Sequence, residues 1–329
     1  MSKRPTRFLA AVLCVLMLVS ILPMSVIAEY DPSYKSENYS VFKHTEQTLA
    51  PGITQYVNYA YDKSGKQQKY HVAIADLSNE DVIVQTSYKD QYTSGKFGMA
   101  KLSQQMARAN EIYTDPANDR FISEDYKAVA GINASFYNMT TGQPSGRTVL
   151  DGISIGEGSY GGFFALLDDG TAVIMKDSGT DNWNSVKDRV VQAIGGESVF
   201  LLNGEKQKPY TGYFSQAYPH SLIGITADNK VVIAQTNGSA SEGFGGDALA
   251  DVMLEAGCVA ALSLDGGGSA TYCAKPEGED DIQIIGGCSD GSERTISAGF
   301  IFASKAKPSN AFDHVSITVD NAYITPGVS

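Results

Sequence analysis

The chain runs to 329 residues, 43% apolar and 19% charged, with 33 Gly and a single Trp. That is enough for one core of roughly 200–250 residues, and the composition excludes collagen, coiled coil and wholesale disorder. The formal charge is −12, and without residues 1–28, which carry Lys3, Arg4 and Arg7, 22 basic side chains face 37 acidic ones, a net of −15. Such a surface repels a phosphate backbone, so no nucleic-acid partner is expected, and an anionic substrate needs a few placed donors.

Lys3, Arg4 and Arg7, the apolar run Phe8 to Leu22 and the end Ser25-Val26-Ile27-Ala28 read as a secretory signal over 1–28. The expected product is secreted, extracellular or at the cell surface, with no membrane span after cleavage. Tyr70 to Ala75 alternates as a strand, and Asp81 to Gln85 follows as another. Met99, Leu102, Met106 and Ala109 fall at helical spacing. Gly162 to Leu167 and Thr171 to Met175 predict a hairpin, and Val199 to Leu202 predicts a strand ending in an Asn203-Gly204 turn. Ser221 to Thr226 and Val231 to Gln235 predict a second hairpin about Asp228-Asn229. Leu249, Val252, Met253 and Ala256 predict another helix, stopped by Gly257, and Gly299 to Ala303 predicts a closing strand. The pattern is α+β, with mixed, mostly antiparallel β-sheets and a few packed helices in a single main domain, 29–303. Residues 304–329 hold a polar linker and an alternating stretch from His314 to Val319, expected to be the truncated start of a β-sandwich module.

The mature chain keeps Cys258, Cys273 and Cys288, an odd number that allows at most one internal pair. Cys273 and Cys288 flank a loop and could meet across a hairpin, whereas Cys258 suits burial. The histidines His44, His71, His220 and His314 are scattered, so neither a metal nor a cofactor is expected. Glu279-Asp280-Asp281, the only support for a calcium-dependent adhesin, is more simply a solvated loop.

The sharpest chemical signal is a buried strand, Ala260 to Leu264, running into Asp265, then Gly266, Gly267, Gly268 and Ser269. Consecutive glycines can turn backbone N–H groups inward as an anion nest, and a carboxylate beside it can act on a bond next to the bound anion. A plain turn whose Asp bonds its own loop is the competing reading. A second cluster carries Asn133, Ser135 and Asn138 toward a loop that ends at Arg147, amides and a cation suited to sugar hydroxyls and phosphate. His220 precedes an apolar strand and Arg294 enters the last one; both also fit surface roles. Asp151 is a weaker candidate, since Asp151-Gly152 is also a turn. Gly152-Ile153-Ser154-Ile155-Gly156 matches a serine-hydrolase elbow but lacks a following helix, so Ser154 is refused.

In this order the clusters resemble the phosphodiester glycosidase family, from about Ala128 to Ala303, most specifically at Leu264 to Thr271. The resemblance implies a hydrolase that cleaves between a sugar's anomeric carbon and a phosphodiester, giving free sugar and a phosphomonoester. It implies Asp265, Asn133, His220 and Arg294 as catalytic residues, with Gly266, Gly267, Gly268, Ser269, Arg147, Asn138 and Asp151 holding substrate and phosphate. The implied partner is a carbohydrate phosphodiester, a class that includes wall and capsular polymers. This sequence departs from the family's usual Arg-Thr at His220-Ser221, and from its usual Gly at Ser135. Histidine is only partly charged at neutral pH, so the first change weakens a fixed cation. A non-catalytic glycan- or wall-polymer-binding module with a decayed site is the alternative.

Overall fold

Alternating apolar side chains make strands the commonest element of the chain. The computed structural model describes residues 33–177, 181–237, 243–276, 279 and 281–307. The expected signal segment and the stretch from His314 to Val319 lie outside the described residues. In chain order come β1 (Tyr39–Ala50), β2 (Ile53–Asp62), β3 (Gln67–Asp76), β4 (Val82–Tyr88) and helix α1 (Leu102–Thr114). Next are β5 (Lys127–Asn133), β6 (Arg147–Leu150), β7 (Ile153–Glu157), β8 (Gly162–Leu167), β9 (Ala172–Lys176) and the short α2 (Asp181–Val186). Then follow β10 (Val190–Gly196), β11 (Ser198–Leu202), β12 (Glu205–Lys206), β13 (His220–Thr226), β14 (Lys230–Thr236) and α3 (Asp247–Glu255). The last strands are β15 (Cys258–Ser263), β16 (Thr271–Ala274), β17 (Gln283–Gly287) and β18 (Ala298–Ser304).

One eight-stranded sheet has the order β1-β2-β3-β14-β13-β15-β11-β12; the five-stranded sheets run β7-β6-β10-β8-β9 and β17-β16-β5-β18-β4. Pairing is antiparallel throughout the neighbours that frame the site. The fold is therefore α+β and mostly antiparallel, as the periodicity implied. Asn203 and Gly204 take φ of 54° and 78°, the twist a two-residue hairpin needs, and Gly257 at 80° stops α3.

A central core draws Ile132, Phe300 and Phe302, Phe164 and Ile194, and Ile223, Ile233 and Leu262 from all three sheets. Helix α3 covers the large sheet with Leu249, Val252 and Met253, while α1 covers the β5 sheet with Leu102, Met106 and Ile112. No described helix is long and apolar enough to cross a membrane.

Cys258, Cys273 and Cys288 are free thiols. Register explains why the hairpin does not join Cys273 to Cys288: Cys273 lies opposite Ile284, and Cys288 bonds through its N–H to the Ala270 carbonyl at 3.2 Å. Beyond β18 the chain stays attached for two residues. The Lys305 N–H reaches the Asp81 carbonyl at 2.9 Å, and Ala306 is buried.

Antiparallel register also gathers the sequence's candidate motifs. Ser263 at the end of β15 pairs with Leu222 near the start of β13. Asn133 at the end of β5 pairs with Gly299 near the start of β18, and Ile132 with Tyr272 in β16. The segments holding Asn133, His220, Asp265 and Arg294 thus converge at one end of neighbouring strands.

Candidate active site

Past Ser263 the chain leaves β15 and bridges the start of β13 in the same sheet to the end of β5 in another. The Leu264 N–H bonds the Ser221 carbonyl at 2.8 Å, and the Asp265 N–H bonds the Ala134 carbonyl at 2.9 Å. Gly267 takes φ of 60°, a conformation glycine adopts without strain, and opens a tight turn over Gly267–Ser269. The turn takes up two of the N–H groups expected to face an anion, those of Gly267 and Ser269. Gly267 donates to the Pro219 carbonyl at 2.9 Å, Ser269 to Gly266 at 3.2 Å and Ala270 to Gly267 at 3.1 Å. The glycines instead permit close packing, since a Cβ at Gly268 would collide with the Arg294 guanidinium and the Asp290 carboxylate.

Asp265 sits partly exposed at this turn, between strand end and loop. Burial pushes its carboxyl up to about 6, against the opposing pull of the Ser269 hydroxyl, the Arg294 charge and the Gly266 N–H. Arg294 reaches the Ser269 hydroxyl at 3.5 Å and shares its charge with Asp290, its Nε lying 3.0 Å from Oδ2.

Asn133 is buried, with both acceptor positions of its amide oxygen filled. Its Nδ2 donates to the Asp265 carbonyl at 2.7 Å, and its Oδ1 accepts from the Ser221 hydroxyl at 2.6 Å and the Thr271 N–H at 3.0 Å. One amide therefore ties together β5, β13, the Asp265 loop and β16. Ser221, noted in the sequence only for replacing a threonine, has this bracket as its role.

His220 does not point at solvent. It is buried, its Nε2–H donates to the Gln216 carbonyl at 3.0 Å, and its ring stands edge-on to Phe214 at 6.1 Å. Burial lowers its pKa to about 4, although the Gln216 bond opposes the shift, so the ring is neutral at pH 7. Nδ1 faces the glycine loop, 3.8 Å from where a Gly266 Cβ would stand. The side chain is a neutral hydrogen-bonding group, where a partly charged one was expected.

Three other candidates are engaged elsewhere. Arg147 pairs with the buried Asp177 at 3.1 Å, donates to the Glu157 carbonyl at 2.6 Å and lies over Trp183 at 5.0 Å. Asp151 takes φ of 49° and accepts from the Tyr113 hydroxyl at 2.6 Å and Gln192 Nε2 at 2.7 Å, with Arg120 at 3.7 Å. Asn138 closes an exposed turn by accepting the Thr140 N–H at 2.9 Å. Their loops follow Asn133 in sequence, but the chain turns there into β6 of a different sheet. Ser135, meanwhile, is buried against Thr148 at 3.2 Å, and Ser154 lies exposed within β7.

What the sequence reading missed is aromatic. Tyr137 stands beside Ser269, Asp265 and Arg294, its hydroxyl donating to the Thr295 carbonyl at 2.9 Å. Tyr160 packs on Phe136 at 5.3 Å, and its hydroxyl pKa is raised by burial and then by the charges of Glu197 and Asp265. Tyr213 is 57% exposed, meets Tyr218 edge-on at 6.1 Å, and donates its N–H to Glu197 Oε1 at 3.2 Å. A signal existed in Tyr210, Tyr213, Phe214 and Tyr218, packed into nine residues just before His220. Glu197, which follows Gly195-Gly196, brings a second carboxylate toward Asp265. Among the described residues, no group of three His, Cys, Asp or Glu side chains forms a metal cluster.

The arrangement joins a desolvated carboxylate, an arginine and tyrosine rings, which suits a sugar bearing an anion. A family model described as phosphodiester glycosidase matches residues 126–303. Among solved structures, the fold is similar to the zebrafish N-acetylglucosamine-1-phosphodiester alpha-N-acetylglucosaminidase catalytic domain, auto-inhibited by its pro-peptide. That likeness has a TM-score of 0.59 at 16% identity, over 80% of this chain and 87% of the other. A hypothetical protein from Synechocystis is similar at a TM-score of 0.60 and 12% identity, over 80% of this chain and 64% of the other. At such identities the likeness speaks for the fold alone. No curated protein matches the sequence.

Proposed function

The chain belongs to the phosphodiester glycosidase family, and from that premise we propose that it is an exported hydrolase of sugar 1-phosphodiesters. The observation that carries this reading is the Asp265 carboxylate, desolvated beside Arg294 and Ser269 with Tyr137 and Tyr160 around it.

In the proposed reaction a water oxygen forms a bond to the anomeric carbon, and the bond from that carbon to the phosphate oxygen breaks. The bonding electrons leave on the phosphate and one water proton is released, giving free sugar and a phosphomonoester. A phosphate is already a good leaving group, so strong acid assistance is unnecessary. Ionised Asp265 opposes the positive charge growing at the anomeric carbon, while Arg294 and Ser269 donate hydrogen bonds to the departing phosphate; neutral His220, whose Nε2–H is held by Gln216, presents only an acceptor Nδ1 to the loop. Asn133 acts by positioning: it fixes the Asp265 backbone and has no acceptor capacity left for substrate. Because ionisation is centred near 6, kcat/KM should rise through that pH on the acid side.

Incubation with UDP-N-acetylglucosamine tests the reading, which expects free sugar from the parent and none from Asp265→Asn. The alternative, a glycan-binding module without turnover, draws on one observation. Arg147 is neutralised by Asp177 and His220 is uncharged, which leaves the site with fewer cations than the motifs implied. That reading expects sugar-phosphate binding with no sugar released.

A further inference from the structure

The hairpin of β1 and β2 carries an aromatic and cationic face that the active site does not use. Lys43, Tyr59 and Lys69 lie side by side across β1, β2 and β3. The ammonium groups of Lys43 and Lys69 stand 5.5 Å and 5.4 Å from the Tyr59 ring centre. Next to them Phe42 stacks on Tyr61, with centroids 4.5 Å apart and planes at 28°. Phe42 is 42% exposed and Tyr61 39% exposed. A register shift between Val41 and Lys43 makes room for Phe42, the residue on β1 with no partner on β2 between those positions.

Aromatic rings in water on an edge hairpin bury apolar area only when something lies on them. Two ammonium groups over one ring add positive charge to a protein whose mature net charge is −15. The occupant this combination fits has apolar faces to stack on rings and anions spaced along its length. Sugars offer their C–H faces in that way, and phosphodiester links supply the anions.

The face is also aligned with the site. The register row Asn58, Tyr70, Thr236, His220 crosses from β2 to β13. Tyr59 and Lys69 sit one residue further out, where the Lys69 carbonyl accepts the Asn237 N–H at 2.9 Å. Just before β13 lies Pro219, whose carbonyl holds the Gly267 N–H of the Asp265 loop. Three strand spacings separate β2 from β13, roughly 14 Å, the reach of a few sugar units.

We propose that the Phe42, Tyr59, Tyr61, Lys43 and Lys69 face is a second binding site for a polyanionic glycan, holding a sugar-phosphate polymer whose end enters the Asp265 site. The polymer class rests on the proposed function; the face itself rests on its own geometry.

Surface plasmon resonance over immobilised glycosylated poly(glycerol phosphate) teichoic acid, with neutral dextran as the reference surface, tests this. The parent should bind teichoic acid, more weakly as salt rises, and should bind dextran at least ~10-fold more weakly, as expected where charge contributes. Phe42→Ala/Tyr61→Ala and, separately, Lys69→Glu should each weaken teichoic acid binding ~5-fold or more. Both should leave hydrolysis of UDP-N-acetylglucosamine unchanged, which also shows that they fold. Asp265→Asn should still bind the polymer. Equal binding of dextran, unchanged binding by either variant, or no binding by the parent overturns the proposal. So does a dimer in sedimentation that the Phe42→Ala/Tyr61→Ala variant alone abolishes while polymer binding stays intact. Failure of the hydrolytic reading shows separately, as absence of free sugar from the parent.

Discussion

Asp265 is held in a state that works against stability. Its folded pKa, about 6, lies above the ordinary carboxylate value, so the folded protein binds more protons than the unfolded chain between about 4 and 6. Stability associated with this group is present at low pH and lost as pH rises through that window. Asp265→Asn keeps the shape and removes the desolvated charge. It should lower turnover by roughly 10³-fold or more while raising the Tm by roughly 2–4 °C, the shift for about 1 kcal/mol in a domain of this size. Calorimetry beside a sugar-release assay checks both, and a lower Tm would mean that the carboxylate is structural. The acid limb of the rate profile, near pH 6, should persist in His220→Ala, because His220 is neutral well above its pKa of about 4. Loss of that limb in the variant would return the titration to the histidine.

At the scale of elements, about half of the strands and the two longer helices were legible because their periodicity is local, and the hairpin turns because Asn203-Gly204 and similar pairs carry their own geometry. Strands β1, β2, β7 and β10 were not, because polar or glycine-rich stretches blur their alternation. The roles of loop residues were less legible. Glycines after Asp265 signalled an anion nest, yet the Gly267 N–H is held by the Pro219 carbonyl and the Ser269 N–H by the turn itself, and only the long-range approach of the chain before β13 reveals the first of these. Arg147 and Asp151 stood out as a cation and a carboxylate suited to a sugar phosphate, but their long-range partners, Asp177 for Arg147 and Tyr113 and Gln192 for Asp151, come from segments the motif does not show. The Asn133 bracket shows the same dependence on topology. Asn133→Ala leaves the Ser221 hydroxyl, the Thr271 N–H and the Asp265 carbonyl without their partner, and should cost about 2–3 kcal/mol in denaturant unfolding. Its kcat should fall more than its KM rises if, as proposed, Asn133 acts by holding the Asp265 backbone. Gly268→Ala makes the opposite case. The Cβ meets the flexible end of Arg294, so stability should change by less than about 1 kcal/mol while sugar-phosphate affinity drops. Affinity like that of the parent would take Arg294 out of the anion site.

On the scale of the whole molecule, the acidic composition argued against a nucleic-acid partner but did not show that Lys43 and Lys69 meet over Tyr59, because the three come together only across three strands. The sequence boundary at Ser304 also looked sharper than it is. Since Lys305 bonds Asp81 and Ala306 is buried, ending the chain after Lys307 should leave the Tm within roughly 2 °C, whereas ending it after Ser304 should lower it measurably. The central claim is that a sugar–phosphate bond is broken on the sugar side with Asp265 at the anomeric carbon. Mass spectrometry of the nucleotide product after UDP-N-acetylglucosamine hydrolysis in heavy-oxygen water tests it most directly. The account predicts UDP free of heavy oxygen, formed by the parent and not by Asp265→Asn. Heavy oxygen in the nucleotide phosphate, or the same product yield from Asp265→Asn, would contradict it.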